Sequence, residues 1–381
     1  RGAHFDMLRK ILSQEHVVKD AGLESGKVIE DGDLLMVVAP ENLDQKQLYA
    51  IDQFLMKGGT VVLATSPFDV SLQDKLSMVK KKSGLEEWLK FHGISIDETM
   101  VLDPQNSAFP VPVERKLAGF TVQETKLVNY PYFVDIRPDG MNQENGMLAG
   151  LNQLTMNWAS PIEIDAKKNE KRKVTRLLES SAESWVADST SIQPDFDAYG
   201  ELGFAAGKER GKQLLGVAVE GRFNSFFAGK PSPILATAKD DTSGKQKKAK
   251  DDDKKKQIVV SQIDRSPESA RIVLLASNSF VSDTILSIGS TVMQSSYLSP
   301  VQLMANGVDW SLEDRGLLSI RGRGHFSRTL MSLSREVQMF WEYLNYGLAL
   351  LGLCLVWLVR RSVTKASDRK YMAIVQQVVG G

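Results

Sequence analysis

Polar side chains follow three apolar runs of strand length, and these side chains are the candidates for chemistry. In an open sheet of parallel strands, ligands bind beyond the carboxyl ends of the strands. Carboxylates, hydroxyls and an amide at one such edge could line a cleft for a polar ligand, although ordinary loops have the same composition. The candidate ligand-binding residues are Glu41 and Asn42 after the first run, Ser66 and Asp69 after the second, and Asn278 and Ser279 after the third.

Signatures of common catalytic sites are absent from the sequence. It contains no GxGxxG or GxxxxGK[ST] phosphate-binding loop, no GxSxG nucleophile elbow and no HExxH pair among its four histidines. Ser66 has no evident partner base, and His92 is more typical of a helix end than of a catalytic base. The one cysteine, Cys354, lies in an apolar stretch near the C-terminus. The sequence therefore predicts a binding protein without catalytic residues, cofactor or metal.

The secondary structure that would position these residues is predicted most clearly between residues 31 and 67. Leu34–Ala39 and Val61–Ala64 are apolar runs typical of strands covered on both faces. The segment between them has helical periodicity, with Asn42 predicted as its N-cap and Gly58 near its end. Strand, helix and strand in about 35 residues indicate a βαβ unit. We therefore expect an α/β fold with a doubly wound sheet.

Further segments extend this interpretation along the chain. Gly84–Ile96 is typical of a short helix leading into a strand, and Leu127–Ile136 is typical of extended structure. Leu214–Glu220 and Arg271–Ser277 have the composition of buried strands, and a helix could begin near Ser279 or Ser282. The predicted organisation is a first α/β domain at 1–125 and a second, mixed α/β domain at 126–320, the latter carrying a disordered, charged loop at 239–256.

The stretch at 337–361, VQMFWEYLNYGLALLGLCLVWLVRR, is the candidate membrane span. About 20 apolar residues in a helix match the thickness of the hydrocarbon core. Arg360 and Arg361 end the stretch and favour a cytoplasmic C-terminus. The prediction is a neck at 321–336, one transmembrane helix at 337–361 in contact with membrane lipid, and a cytoplasmic tail at 362–381.

The charge and the beginning of the chain bear on partners and export. The sequence has 47 basic and 47 acidic residues, and this balance does not favour binding to nucleic acid.

An exported body also requires a signal sequence or an upstream span, and the first 30 residues contain neither. We therefore expect this sequence to be the C-terminal part of a longer polypeptide with at least one further membrane segment.

Several segments together resemble the GldG-like auxiliary components of bacterial ABC transporters, which are also known as uncharacterised transport-system proteins. The resemblance covers most of the chain. It is carried by DGDLLMVVAPENLDQKQLYAIDQFLMKGGTVVLATSP, LVNYPYFVDIR, LTMNWASPIEI, RLLESSAESW, GVAVEGRFNSFFAGKPSP, RIVLLASNSFVSD and ANGVDWSLEDRGLLSIRGR.

The resemblance implies a function that the residues alone do not. It implies a non-catalytic extracytoplasmic component of gliding-motility type that works with an ABC-2-type permease and a cytoplasmic ATPase. In some members of the family the permease is fused upstream. It places the main body in the periplasm of a bacterium with the span in the inner membrane. It also implies that the leading domain is similar to a class I glutamine amidotransferase without its catalytic cysteine.

One alternative stays open at the level of sequence. The protein could be a membrane-anchored glycan-binding module, in which Tyr130, Tyr132 and Phe133 stack on sugar rings. The same three aromatic residues could equally belong to the core of a strand. A hydrolase with an unusual site is the least favoured alternative.

Overall fold

A computed structural model describes residues 4–27, 29–72, 76–117, 120–234, 262–312 and 335–379. The chain divides into two compact units, residues 1–327 and residues 328–381. The predicted charged loop at 239–256 lies outside the described residues, and so does the predicted neck up to residue 334.

The secondary structure is mixed α/β, as expected. The described α-helices are α1 (Asp6–Glu15), α2 (Gln45–Met56), α3 (Glu86–Phe91), α4 (Phe196–Tyr199), α5 (Asp283–Met293), α6 (Ser299–Leu312) and α7 (Arg335–Val379). The strands are β1 (Leu34–Val38), β2 (Thr60–Ala64), β3 (Phe68–Ser71), β4 (Ser77–Lys80), β5 (Ile94–Ile96), β6 (Met100–Leu102), β7 (Asn106–Leu117), β8 (Phe120–Ile136), β9 (Leu154–Asn157), β10 (Ile162–Ile164), β11 (Lys173–Glu179), β12 (Trp185–Ala187), β13 (Leu214–Glu220) and β14 (Arg271–Leu275).

A five-stranded sheet in the order β1-β2-β14-β13-β11 organises the first unit. β1, β2 and β14 are parallel, which confirms the predicted βαβ unit, whereas β13 and β11 pair antiparallel. Strands from both sides of residue 125 therefore share one sheet. Three two-stranded sheets pair β10 with β5, β12 with β6 and β3 with β4, and a three-stranded sheet has the order β7-β8-β9. The glutamine-amidotransferase-like architecture stays a prediction.

Helix α2 begins two residues later than predicted, because its N-cap is Asp44 and not Asn42. The Asp44 carboxylate accepts hydrogen bonds from the backbone N–H groups of Lys46 and Gln47, and the Gln47 side chain accepts one from the Asp44 N–H. This reciprocal pair satisfies donors that a helix start leaves unpaired. Asn42 instead adopts a left-handed conformation with φ of 47° in the loop before the helix.

Apolar residues cover both faces of the five-stranded sheet. On one face, Val61, Leu63 and Leu274 pack with α2 and α3. On the other, Val62 and Val273 pack with α1, α5 and α6. Because both faces are covered at the centre of the sheet, β2, β13 and β14 are buried throughout and apolar apart from their ends, whereas the edge strand β11 carries exposed polar residues.

A separate cluster of aromatic residues decides the question about Tyr130, Tyr132 and Phe133. These side chains are 0%, 1% and 2% exposed and pack with Trp158 and Phe204. The Tyr130 hydroxyl donates a hydrogen bond to the Ile192 carbonyl at 2.8 Å. The suggestion that these rings stack on sugars is therefore wrong, since a ligand cannot reach them.

The second unit is described as one helix, α7, of 45 residues. Its stretch Met339–Arg361 is long and apolar enough to cross a membrane, judged by length and composition. Leu353 is 70% exposed and Val356 66% exposed, so these apolar side chains are not covered within the chain.

Candidate functional site

The predicted site residues lie at one edge of the five-stranded sheet. Val38, Ala64 and Leu275 are the last residues of three adjacent parallel strands, and their Cα atoms are in register. The backbone ladder continues one step further, with Thr65 N–H donating to the Leu275 carbonyl at 3.0 Å. The loops that follow β1, β2 and β14 therefore start side by side, as the sequence predicted.

Ser66 and Asn278 are joined by direct hydrogen bonds. The Asn278 side-chain oxygen accepts from the Ser66 N–H at 3.1 Å, and its amide group donates to the Ser66 carbonyl at 2.8 Å and the Phe68 carbonyl at 2.7 Å. Both side chains are buried. Asn278 uses its acceptor and its donors on the neighbouring loop, so in this structure its polar groups fasten two strand ends together.

Two further serines that the sequence did not single out lie beneath this pair. The hydroxyls of Ser66 and Ser160 are 3.3 Å apart, and the Ser160 N–H donates to the Ala276 carbonyl at 3.0 Å. The Ser277 hydroxyl donates to the Asn157 carbonyl at 2.6 Å and accepts weakly from the Ser279 N–H at 3.3 Å. The segment between β9 and β10 is thus attached to the same edge.

Glu41 and Asp69 come together through Lys81, another residue that the sequence analysis missed. The Lys81 Nζ atom is 3.0 Å from Glu41 Oε2 and 3.5 Å from Asp69 Oδ2. Partial burial lowers the pKa of Lys81, but the hydrogen bonds and negative charges of Glu41 and Asp69 outweigh it, so the pKa is raised. The two carboxylates remain about half exposed or more, so this ionic group is accessible to solvent.

Asn42 lies at the outside of the same edge. Its backbone N–H donates to the Lys82 carbonyl at 3.0 Å, and the Leu43 N–H donates to the Ser83 carbonyl at 2.9 Å. These bonds hold the β1–α2 loop against the segment that carries Lys81. Asn42 is exposed, whereas Ser279 is half-buried.

A second polar cluster is buried around Asp52, a residue of α2. The Asp52 carboxylate accepts hydrogen bonds from the Ser225 hydroxyl at 2.5 Å, the Trp88 indole N–H at 3.0 Å and the Phe226 backbone N–H at 3.0 Å. Burial raises the pKa of Asp52, and these hydrogen bonds oppose the rise. Asp52 is 0% exposed, so it stabilises the interior and is not available to a ligand.

His92 is the C-cap of α3, as the sequence indicated, and it lies next to Asp52. Its Nε2 atom is 3.9 Å from Asp52 Oδ1, and neither ring nitrogen has a hydrogen-bond partner among the described residues. Burial, and secondarily the positive charges of Arg172 and Lys168, lower its pKa to about 3. Since the ring is neutral at physiological pH, this contact is not an ion pair.

A cleft of about 680 Å³ opens at the opposite, amino-terminal edge of the sheet. Its charged lining includes Asp33, Lys57, Glu268 and Arg271. Arg271 is engaged there in structural contacts, since it donates to the Trp310 carbonyl at 3.2 Å and lies 3.4 Å from Glu220. The described residues contain no group of three or more His, Cys, Asp or Glu side chains that could hold a metal ion.

The family of the protein follows from comparison with known sequences. The model of the family described as ABC-type uncharacterized transport system matches residues 3–309. The chain belongs to this family. The resemblance indicated by the sequence motifs is thereby confirmed, and the match includes every element that builds the edge with Ser66, Asn278 and Lys81.

Two similar proteins add a more distant context. An uncharacterized protein of Borreliella burgdorferi is 22% identical over 230 residues, which make up 58% of this chain and 43% of that protein. The chain thus spans less than half the length of this relative. Among solved structures, the mmIFT52 N-terminal domain aligns with a TM-score of 0.40 at 11% identity, covering 82% of this chain and 92% of that one.

Proposed function

We propose that this protein is a non-catalytic, membrane-anchored auxiliary subunit of an ABC transporter of gliding-motility type. Its partners in this proposal are an ABC-2-type permease and a cytoplasmic ATPase. The family supports a role in ABC-type transport. The observation that carries the anchored role is the exposed apolar surface of Met339–Arg361 in α7.

The dimensions of this stretch fit a bilayer. Its 23 residues would be about 35 Å long at 1.5 Å per residue, against a hydrocarbon core of about 30 Å. Tyr343 and Tyr346 lie towards one end and Trp357 towards the other, where amphipathic rings are favoured. The Tyr346 hydroxyl donates to Glu342 at 2.9 Å, which partners a carboxylate that would otherwise be costly near the membrane.

The proposed direction of the helix is supported by its flanking charges. Arg360 and Arg361 stand at the C-terminal boundary, and the Arg361 guanidinium lies 5.0 Å from the centre of the Trp357 ring. Basic residues next to a span favour the cytoplasmic side. The proposal therefore places the C-terminus in the cytoplasm and the main body in the periplasm, with the span in the bacterial inner membrane.

The non-catalytic part of the proposal is supported by the carboxyl edge. Ser66 and Asn278 are committed to each other, and Glu41 and Asp69 are neutralised in part by Lys81. These contacts suit recognition of a polar ligand or partner more than bond-breaking chemistry. We propose the exposed group of Glu41, Asp69 and Lys81, with neighbouring Asn42 and Ser279, as the contact site.

Native mass spectrometry of the protein, purified from its own membranes in mild detergent, tests the assembly. A complex containing a permease and an ATPase is the expected result. A protein recovered only from the soluble fraction, or alone in the membrane, would contradict the proposal.

A substitution in the helix tests whether α7 carries the assembly. Apart from its chain neighbours and the backbone of its own helix, no atom of the described chain lies within 4 Å of a Cβ added at Gly347, so the added side chain starts into open space. Small residues let membrane helices approach closely, and we expect the variant to lose co-purification with the permease. Ala349→Leu adds bulk on the opposite side of the helix and serves as the matched control. If the unaltered chain, Gly347→Leu and Ala349→Leu all recover the same amount of permease, packing at Gly347 is excluded.

A further inference from the structure

The five-stranded sheet of the first unit ends in two strands of different character, and β11 is the protected one. Its side chains Lys173 and Arg176 are exposed, and its pairing with β13 has register shifts. The Asn142 N–H, from a separate segment, donates to the Leu177 carbonyl of β11 at 3.0 Å. Charges, irregular pairing and a covering segment are common means by which proteins prevent a sheet edge from pairing further.

β1, at the opposite edge, has none of these protections among the described residues. Its sequence LLMVV contains no charged residue, proline or glycine, and it pairs with β2 in an unbroken parallel register. Leu34, Met36 and Val38 are half-buried, so they keep some access to solvent. A regular, apolar edge strand of this kind is prone to pair with a further strand.

The hydrogen-bonding groups of β1 alternate between β2 and the outer edge. The Ala39 N–H donates to the Ala64 carbonyl at 2.8 Å, so the odd-numbered residues of β1 direct their N–H and C=O groups towards β2. The even-numbered residues, Leu34, Met36 and Val38, therefore direct theirs outwards. Within the described part of the chain these outward groups have no hydrogen-bond partner.

We propose that this open edge of β1 pairs antiparallel with β1 of a second copy of the chain, about a two-fold axis at Met36. Most homo-oligomers are closed and symmetric, and a two-fold interface uses one surface twice. The pairing joins the two five-stranded sheets into one continuous sheet. The inference goes beyond the proposed function and does not depend on it.

The open stretch of β1 matches its own copy over its full length. With the axis at Met36, the outward groups of Met36 face each other and those of Leu34 face those of Val38, so each donor meets an acceptor. Moving the axis to Val38 would place Pro40, which has no N–H, opposite Met36. Moving it to Leu34 would place Gly32, which precedes the strand, opposite Met36. The axis at Met36 therefore satisfies the most backbone groups.

A second copy also supplies the cover that a strand at this edge requires. Leu35 and Val37 pack in the cluster that contains α2, and Met36 and Val38 pack against the cluster that contains α1 and α6. A strand added beside β1 extends both of these faces, and a sheet of this type is covered on both. β1 of a second copy brings its own helices, whereas an isolated peptide strand does not.

Cross-linking of the full chain in membranes tests the position of the axis. Cys354→Ser removes the one native cysteine, and Met36→Cys in that background places two thiols on residues with Cα atoms about 5.5 Å apart. We expect a covalent dimer on mild oxidation. Asp33→Cys, at an exposed position before the strand, is the control, because its two copies would be about 20 Å apart. Equal cross-linking at both positions, or none at Met36, would overturn the proposal.

Two further variants in the same background, Leu34→Cys and Val38→Cys, test the register. They carry different affinity tags and are expressed together. The two positions face each other across the axis, whereas two copies of one variant place their thiols about 14 Å apart. We expect disulfides between the two variants and none between copies of the same variant. A disulfide to a different protein, in place of the mixed dimer, would overturn the proposal and assign the edge to another strand.

A proline substitution tests the contribution of the outward N–H, with the dimer dissociation constant of the full chain measured by sedimentation in mild detergent. Met36→Pro removes a donor without a partner in the described chain, so the fold should persist, and circular dichroism checks this. The constant should rise about tenfold or more, because each copy loses a donor.

Lys80→Pro on β4 is the matched control for this substitution. The Lys81 N–H donates to the Pro67 carbonyl at 2.8 Å, so the Lys80 N–H also points away from the paired strand β3. The dissociation constant of this variant should equal that of the unaltered chain. A monomeric unaltered chain, or an unchanged constant for Met36→Pro, would contradict the paired edge.

Discussion

His92 Nε2 lies 3.9 Å from Asp52 Oδ1, and neither side chain is exposed to solvent. The two residues respond to burial in opposite directions, because burial disfavours the charged form of each. The pKa of Asp52 is raised and that of His92 is lowered to about 3. The hydrogen bonds from Ser225, Trp88 and Phe226 hold the carboxylate in place, whereas the imidazole is surrounded by aromatic edges, with the Trp88 ring centre at 4.5 Å.

Asp52→Ala should lower the free energy of unfolding by about 3 kcal/mol or more, because it leaves several buried donors without an acceptor. The urea midpoint, followed by circular dichroism, measures this change. Asp195→Ala is the matched control. Asp195 is an exposed carboxylate that accepts a hydrogen bond from the Ala198 N–H at 2.9 Å, and its loss should cost about 1 kcal/mol. Equal midpoints for the two variants would show that the Asp52 cluster is not a main source of stability.

His92 should make the protein less stable in acid. Its pKa is 6.5 in the unfolded chain and about 3 in the folded protein. Between these values the unfolded state binds more protons, so this contribution to stability is complete above pH 6.5 and is lost as the pH falls towards 3. The expected slope is about 1.4 kcal/mol per pH unit for one proton.

His92→Phe should remove that slope while keeping an aromatic ring beside Trp88. The measurement is the free energy of unfolding between pH 7 and pH 4 for variant and unaltered protein. Asp52, whose raised pKa acts in the opposite direction, is present in both. Parallel curves for His92→Phe and the unaltered protein would refute the assignment.

Asn278→Ala should destabilise the carboxyl edge by about 3 kcal/mol, because the Ser66 N–H and the Ser66 and Phe68 carbonyls would lose their buried partner. Lys81→Ala at the same edge should cost less than about 1 kcal/mol, since its ion pairs are partly exposed. Thermal unfolding of both variants makes the comparison. If Lys81→Ala were the less stable of the two variants, the ionic group, and not the amide of Asn278, would hold the edge together.

Gly84→Ala should destabilise the protein more than Gly200→Ala. Both glycines have positive φ, at 87° and 61°, so each substitution strains the backbone by about 1 kcal/mol or more. At Gly84 the added Cβ would also lie 2.5 Å from the Leu43 carbonyl oxygen, whereas at Gly200 nothing lies within 4 Å. The expected result is a lower thermal midpoint for Gly84→Ala than for Gly200→Ala. No difference would mean that the Leu43 loop yields without cost.

Local signals in the sequence were sufficient to predict several elements. Continuous apolar runs predicted β1, β2, β13 and β14, since a strand covered on both faces is apolar along most of its length. Helical spacing and the glycines at 58 and 59 predicted α2, and the run of apolar residues between Met339 and Arg361 predicted the helix that could span a membrane. Each of these signals depends on neighbouring residues in the chain. The sequence also predicted that Ser66 and Asn278 lie at the same edge of the sheet, because the carboxyl ends of parallel strands lie at one edge.

Only the tertiary structure decided which groups these residues contact. Ser66 and Asn278 are 212 positions apart in the chain. Ser160 reaches the Ser66 hydroxyl from a third segment, and Lys81 joins Glu41 to Asp69 from a segment that carries no motif. The choice of Asp44 over Asn42 as N-cap depended on the fold of the preceding loop, and the burial of Tyr130 and Tyr132 depended on Trp158 and Phe204. The sequence determined the periodic elements because their pattern is local. The contacts required the fold, because packing brings together residues whose separation along the chain has no fixed relation to their distance in space.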